Sequence, residues 1–319
     1  MGNMECTKTG KRILPGSKLL TYVVSTFAII LWGISYIWTN KLIALGIPIS
    51  YFVFVRILLA GVVLFLLNAA IGQITPIRKA DLPKFLLLAF CEPFIYFTCE
   101  SLGIKETGSP TLSAMIIATI PLFSIGAGIL FFKEKINAVN IAGIVLSLAG
   151  IALVVMAKEE GLGKHFIFGI LLLLTAVISE VGHASLTKSL SGNYSSQVIV
   201  MYQFLIGSVY LLPLFIFKGL DGFSWEKYMD MDVWYPIICL GVFCSSIAFS
   251  LWVSTIKSLG VAKSSIFSAL IPVVAAIAAW ILGHEELSGR QFLGIAISAA
   301  GVIMSQYTSG SCRRKNQKA

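Results

Sequence analysis

SAMIIATIPLFSIGAGILFFKEKINAVNIAGIVLSLAGIALV (Ser113–Val154) and SIFSALIPVVAAIAAWILGHEELSGRQFLGIAISAAGVIM (Ser265–Met304) are the stretches whose comparison decides the fold. At an offset of 151 residues they pair Pro121 with Pro272, Glu134 with Glu285, Gly143 with Gly294 and Gly150 with Gly301. Eleven of the 39 positions from Ser113 to Ile151 are identical, with no gap. Self-similarity at a fixed spacing marks a duplicated structural unit and constrains every later reading.

Each copy is a pair of apolar runs joined at a Glu, and the same texture extends over the whole chain. A hydrocarbon core of about 30 Å takes roughly 20 apolar residues to cross as a helix. On that measure the chain divides into spans at 19–40, 49–72, 84–104, 108–132, 138–157, 165–187, 194–217, 233–257, 260–282 and 289–307. Of 319 residues 57% are hydrophobic and 12% charged, against about 25% charged in a soluble domain. That composition excludes an ordinary soluble domain and intrinsic disorder alike. The expected fold is all-α and integral to the membrane, with ten transmembrane helices in two five-helix repeats, 19–157 and 165–307, and cytoplasmic tails at 1–18 and 308–319. Five spans per unit is odd, so the second unit enters the membrane from the opposite side. Inverted repeats of this kind underlie many secondary transporters, whose halves exchange conformations around a central site. A duplication that only stabilises a bundle is the alternative.

Lys and Arg set the orientation. With the N-terminus inside, the inner segments carry 16 and the outer segments 7, and Arg56 lies within a span. Basic residues are retained on the cytoplasmic side, so both termini are expected there, and the net charge of +9 has the same origin. No folded basic face exists for nucleic acid. The first span is too long for a secretory signal and lacks a small-residue cleavage site. Cys6, Cys91, Cys99, Cys239, Cys244 and Cys312 show neither a C-x-x-C nor a metal-ligand spacing. No nucleotide-binding loop, H-E-x-x-H or G-x-S-x-G is present, so no catalytic residues, cofactor or metal are expected.

Several blocks then resemble one family. LWGISYIWTNKL (Leu31–Leu42) is similar to the first-helix signature of the EamA family of the drug/metabolite transporter superfamily. FVRILLAGVVLFLL (Phe54–Leu67) resembles its Arg-containing second helix, and both repeat ends resemble its Pro, turn Glu and Gly-rich helix. The resemblance implies ten helices, cytoplasmic termini and transport of a small metabolite, often as export. It leaves amino acids, sugars, nucleotide sugars and drugs open as substrates.

Within the spans, an ionisable residue is costly unless paired or hydrated, and so marks a candidate site. Arg56, Glu92, Glu180 and His183 qualify, with Glu100 nearer a helix end. Arg56 falls between Glu92 and Glu100 in depth and can pair with either; a static ion pair orienting two helices is the alternative. Glu92, Tyr96 and Glu100 recur at i, i+4, i+8 and share a face, as do Trp32, Tyr36 and Asn40. Aromatics with polar tips suit a small amphipathic solute, and suit an interfacial belt equally. Trp252 and the helix start at Ser109–Ser113 are further candidates, although capping accounts for the latter. His183 is expected near a solvated interface. Gly143, Gly150, Gly294 and Gly301 suit close helix packing or a homodimer contact. Glu134 and Glu285 suit helix starts, and Pro121 and Pro272 suit mid-helix kinks.

The reading is a proton-coupled or facilitative carrier of small organic metabolites, such as amino acids or drug-like solutes, in a bacterial-type inner membrane, with export expected. Uptake or exchange of a sugar or nucleotide sugar is the alternative within the fold. A membrane enzyme or a channel is the alternative outside it.

Overall fold

The structure is a computed structural model describing residues 15–125, 137–156, 164–221, 228–259, 264, 267–268, 270–282 and 287–305, with side chains from residue 20 onward. Among these residues the chain forms helices and no strand. The helices are α1 (Pro15–Ala44), α2 (Ile49–Ala70), α3 (Leu82–Thr107), α4 (Pro110–Ile125), α5 (Ala138–Met156), α6 (Lys164–Leu190), α7 (Ser196–Gly219), α8 (Met231–Leu259), α9 (Ile271–Ile281) and α10 (Gly289–Ser305). Seven of the described helices, α1–α3 and α5–α8, are long and apolar enough to cross a membrane; α4, α9 and α10 are shorter apolar helices. Their outer faces carry exposed Leu66, Leu67, Val145, Ile178, Val209, Phe217 and Trp280. So much exposed apolar surface fits a chain solvated by lipid, with each helix meeting its own backbone hydrogen bonds. The protein is a multi-pass membrane protein.

Turn chemistry sets the reversals. α3 ends at Gly108, whose φ of 62° is the left-handed conformation glycine adopts without strain. Ser109 then caps α4, its Oγ accepting from Leu112 N–H at 3.1 Å, and Pro110 opens the helix. The Ser109–Ser113 segment is thus occupied by ordinary capping.

The tightest packing joins α5 to α10. A Cβ on Gly150 would collide with the backbone of Ser298 and Gly294, and one on Gly143 with that of Ser305 and Gly301. As α5 ascends from 143 to 150 its contacts on α10 descend from 301 to 294, so the helices run antiparallel. Ser147 and Ser298, equivalent at the 151-residue offset, meet at 3.3 Å between hydroxyl oxygens. The small residues permit the backbone contact that drives association in lipid. Elsewhere α2 packs on α7, α3 on α6, α1 on α8 and α9, and α4 on α6 and α9.

Two expectations need correction. Pro121 and Pro272 do not kink continuous helices. Helix α4 is interrupted at residues 118–119 and resumes at Ile120, and α9 begins at Ile271 with Pro272 in its first turn. A first-turn proline loses no intrahelical hydrogen bond, so each follows a break rather than bending a helix. Helix α3 is likewise not continuous: Phe90–Ile95 widens, and Glu92 leaves helical geometry at φ −141° and ψ 121°. Glu134 and Glu285 lie outside the described residues.

Candidate functional site

The break in α3 positions the site. Pro93 has no N–H to donate, and the Cys91 carbonyl accepts from Ser179 Oγ of α6 at 2.7 Å. Such cross-helix partners are what make an interrupted helix tolerable in lipid. Pro93 itself seats against Gly207 of α7, where no Cβ could fit. Glu92 is left 2% exposed between α3 and α6.

Helix α8, by contrast, stays continuous and widens over Cys239–Ile247. Its Ser245 Oγ accepts from Arg56 Nε at 2.9 Å, and its Cys244 carbonyl accepts from Trp32 Nε1 at 3.0 Å. The Arg56 guanidinium lies over the Phe97 ring, 4.1 Å from its centroid. Trp32 packs edge-on against Phe249 and Trp252, with ring centroids 4.9 and 5.2 Å away.

These groups surround one cavity of about 60 Å³, room for a few waters. Trp32, Tyr36, Arg56, Glu92, Tyr96 and Glu100 reach it from α1–α3. Glu180, Phe249, Trp252, Ser264 and Ser268 reach it from later in the chain. Tyr96 donates to Glu100 Oε1 at 3.1 Å. The cavity wall therefore combines aromatic rings with Arg56 and three carboxylates. Asn40 takes no part in the lining.

His183 stands behind the wall and is fully enclosed, not solvated at an interface. Its Nδ1 lies 2.9 Å from Glu92 Oε2 and 2.9 Å from Glu180 Oε2. Its Nε2 is 3.2 Å from Gln203 Oε1 and 3.3 Å from Thr187 Oγ1. The expected pairing of Arg56 with Glu92 or Glu100 is absent: among the described residues no carboxylate lies within 4.0 Å of the Arg56 guanidinium nitrogens. Glu92 instead turns to His183, because the α3 break takes it off the Tyr96–Glu100 face.

Sequence reasoning passed over Phe97, Gln203, Ser245, Phe249, Ser264 and Ser268. Gln203 carried a legible signal, an amide within a largely apolar helix. Ser245 carried none, since a serine in a membrane helix ordinarily bonds its own backbone.

Comparison with known proteins is consistent along the chain. The EamA-like transporter family matches residues 19–156 and again 167–307. An uncharacterized transporter of Bacillus subtilis, YetK, is 28% identical over 92% of this chain and 88% of its own length. A protein of Streptantibioticus cattleyicolor named "probable terminal-alkyne amino-acid exporter" is 28% identical over 78% of this chain and 81% of its own. A protein of Escherichia coli named "probable amino-acid metabolite efflux pump" is 21% identical over 89% and 94%. One solved crystal structure superposes with a TM-score of 0.67 at 17% identity, covering 90% of this chain and 96% of that one, and it shows the fold alone.

Proposed function

This chain belongs to the EamA-like transporter family, and from that premise we propose that it exports amino-acid-like solutes across a bacterial-type inner membrane by proton-coupled alternating access. In this reading the three shorter helices also cross the membrane, which makes ten spans in two inverted five-helix halves with both termini cytoplasmic. The antiparallel α5–α10 contact supports the inversion: Gly143 meets Gly301 and Gly150 meets Gly294, so each pair exchanges under the 151-residue offset. The aspartates at the starts of α3 and α8, Asp81 and Asp232, recur at equivalent positions.

The observation that carries the solute class is Arg56. It is a guanidinium 2% exposed in a cavity wall, with no carboxylate within ion-pair distance among the described residues. Burying such a charge is costly, and a planar fork matches a solute carboxylate with two charge-assisted hydrogen bonds. Glu100, with Tyr96, would receive the solute ammonium, while Trp32, Phe249 and Trp252 would enclose its side chain. The names of the two amino-acid-exporting relatives agree with this class. The cavity as it stands is smaller than the ligand pockets of about 300 Å³ or more that hold small solutes, so loading requires the halves to move.

Glu92, Glu180 and His183 are assigned to coupling. Fully ionised, two carboxylates and one imidazolium leave one negative charge uncompensated in a buried place, and a proton removes it. In reconstituted vesicles we expect saturable counterflow of a labelled amino acid, which a channel would not give. Glu92→Gln and Glu180→Gln are expected to retain counterflow and lose accumulation driven by a pH gradient. Wild-type rate and wild-type pH dependence in both variants would contradict the assignment.

A further inference from the structure

We propose that Glu92, Glu180 and His183 also form a binding site for one divalent first-row transition-metal ion, which competes with the proton for the same three atoms. The His183 Nδ1 and the two Oε2 atoms lie within 4.8 Å of one another, with both nitrogen–oxygen distances at 2.9 Å. Around an ion with bonds of about 2.0–2.1 Å, ligands at right angles are about 2.9 Å apart. Both oxygens already lie at that spacing from the nitrogen.

Hydrogen bonding separates an ion from a simple histidinium bridge. All three facing atoms are buried and none has a hydrogen-bond partner. An imidazolium held between two carboxylates would point its Nδ1–H along one of the 2.9 Å lines and satisfy that oxygen. The other ring nitrogen faces the Gln203 carbonyl oxygen at 3.2 Å. With the ring proton on Nε2 and donated to Gln203, the Nδ1 lone pair faces two carboxylate oxygens. Three electron-rich atoms facing one another repel unless a cation lies among them. A histidine donating to a carbonyl behind it while presenting its other nitrogen forward is the usual arrangement of a metal ligand.

The donor set selects the ion. One imidazole and two carboxylates, without a thiolate, suit Zn²⁺, Mn²⁺ or Fe²⁺ over soft Cu⁺, and the nitrogen disfavours Mg²⁺ and Ca²⁺. Glu92 and Glu180 line the cavity, so further coordination positions open toward it. The proposal rests on this geometry and holds whether or not the solute is an amino acid.

The test uses the purified full chain in lipid nanodiscs, free of any affinity tag, stripped with chelator and dialysed against ZnCl₂ or MnCl₂. We expect about one ion per chain by elemental analysis, with proton release on binding. Affinity should fall at least tenfold in Glu180→Gln and in His183→Gln, and remain unchanged in His165→Ala, whose ring is 90% exposed. Absence of stoichiometric binding of either ion overturns the proposal. So does binding that survives His183→Gln and is lost with His165→Ala, which marks a surface site only. Where a variant fails to fold, the wild-type protein loaded with Co²⁺ keeps the question open to measurement. Visible bands of an N/O-coordinated ion without thiolate charge transfer support the site, and the bands of free aqueous Co²⁺ count against it.

Discussion

At the residue scale, Arg56 and His183 show what a sequence can and cannot announce. Both are ionisable groups inside apolar helices, so both were legible as candidates from residue type and depth alone. Their partners were not. Arg56 sits between two glutamates in depth yet bonds Ser245 and lies over Phe97, which come from a distant helix and the next turn of α3. His183 shares a helix face with Glu180 as spacing requires, but its third neighbour, Glu92, arrives only because α3 breaks. An apolar run with one proline does not disclose a broken turn. The fork geometry of Arg56 is itself testable. Arg56→Lys keeps the charge and loses the second donor, so the KM for an amino acid should rise about tenfold, matching roughly 1.5 kcal/mol for one charged hydrogen bond. The turnover number should change little, and initial-rate measurements on vesicles separate the two.

At the element scale, two contacts carry predictions on stability. The α5–α10 interface was readable as small residues at repeat-equivalent places, since a close backbone approach admits nothing larger. Gly150→Val puts a branched side chain against the Ser298 backbone, where nothing flexible can yield. Overpacking of this kind costs about 1–3 kcal/mol, and thermal unfolding in detergent should show it. Gly192→Ala, with no atom within 4 Å of the added carbon, should leave the transition almost unmoved. The start of α3 carries the second contact. Asp81 accepts from Lys84 Nζ at 3.1 Å and from the Tyr194 hydroxyl at 3.1 Å, tying α3 to the α6–α7 turn. The Lys84 hydrogen bond, and then that of Tyr194, hold the Asp81 carboxyl below its ordinary range. A folded value below the unfolded one, about 3.9, gives stability that is present above that value and lost as pH falls through the folded one. Melting temperature should therefore fall more steeply in the wild type than in Asp81→Asn as pH drops below about 4.

At the scale of the whole molecule, the duplication was the most informative feature of the chain. Residues recurring at an offset of 151 foreshadowed the α5–α10 pairing, in which Ser147 meets its own equivalent, Ser298. What the repeat concealed is where the halves differ. Arg56 corresponds to Gly207 and Glu92 to Phe243, so these two charges of the lining have no charged counterpart at the 151-residue offset. A lining that carries both charges and aromatic rings suits a solute that has a charged end and an apolar end. The account stands or falls on that cavity, and above all on Arg56 as the anchor of a solute carboxylate. Counterflow in reconstituted vesicles, comparing a labelled amino acid with its decarboxylated amine in wild type and Arg56→Gln, tests it most directly. The account predicts that the wild type carries the acid and not the amine, and that Arg56→Gln raises the KM for the acid about 10- to 100-fold, as expected for loss of 1.5–3 kcal/mol. Equal transport of acid and amine by the wild type, or an unchanged KM in Arg56→Gln, would contradict it.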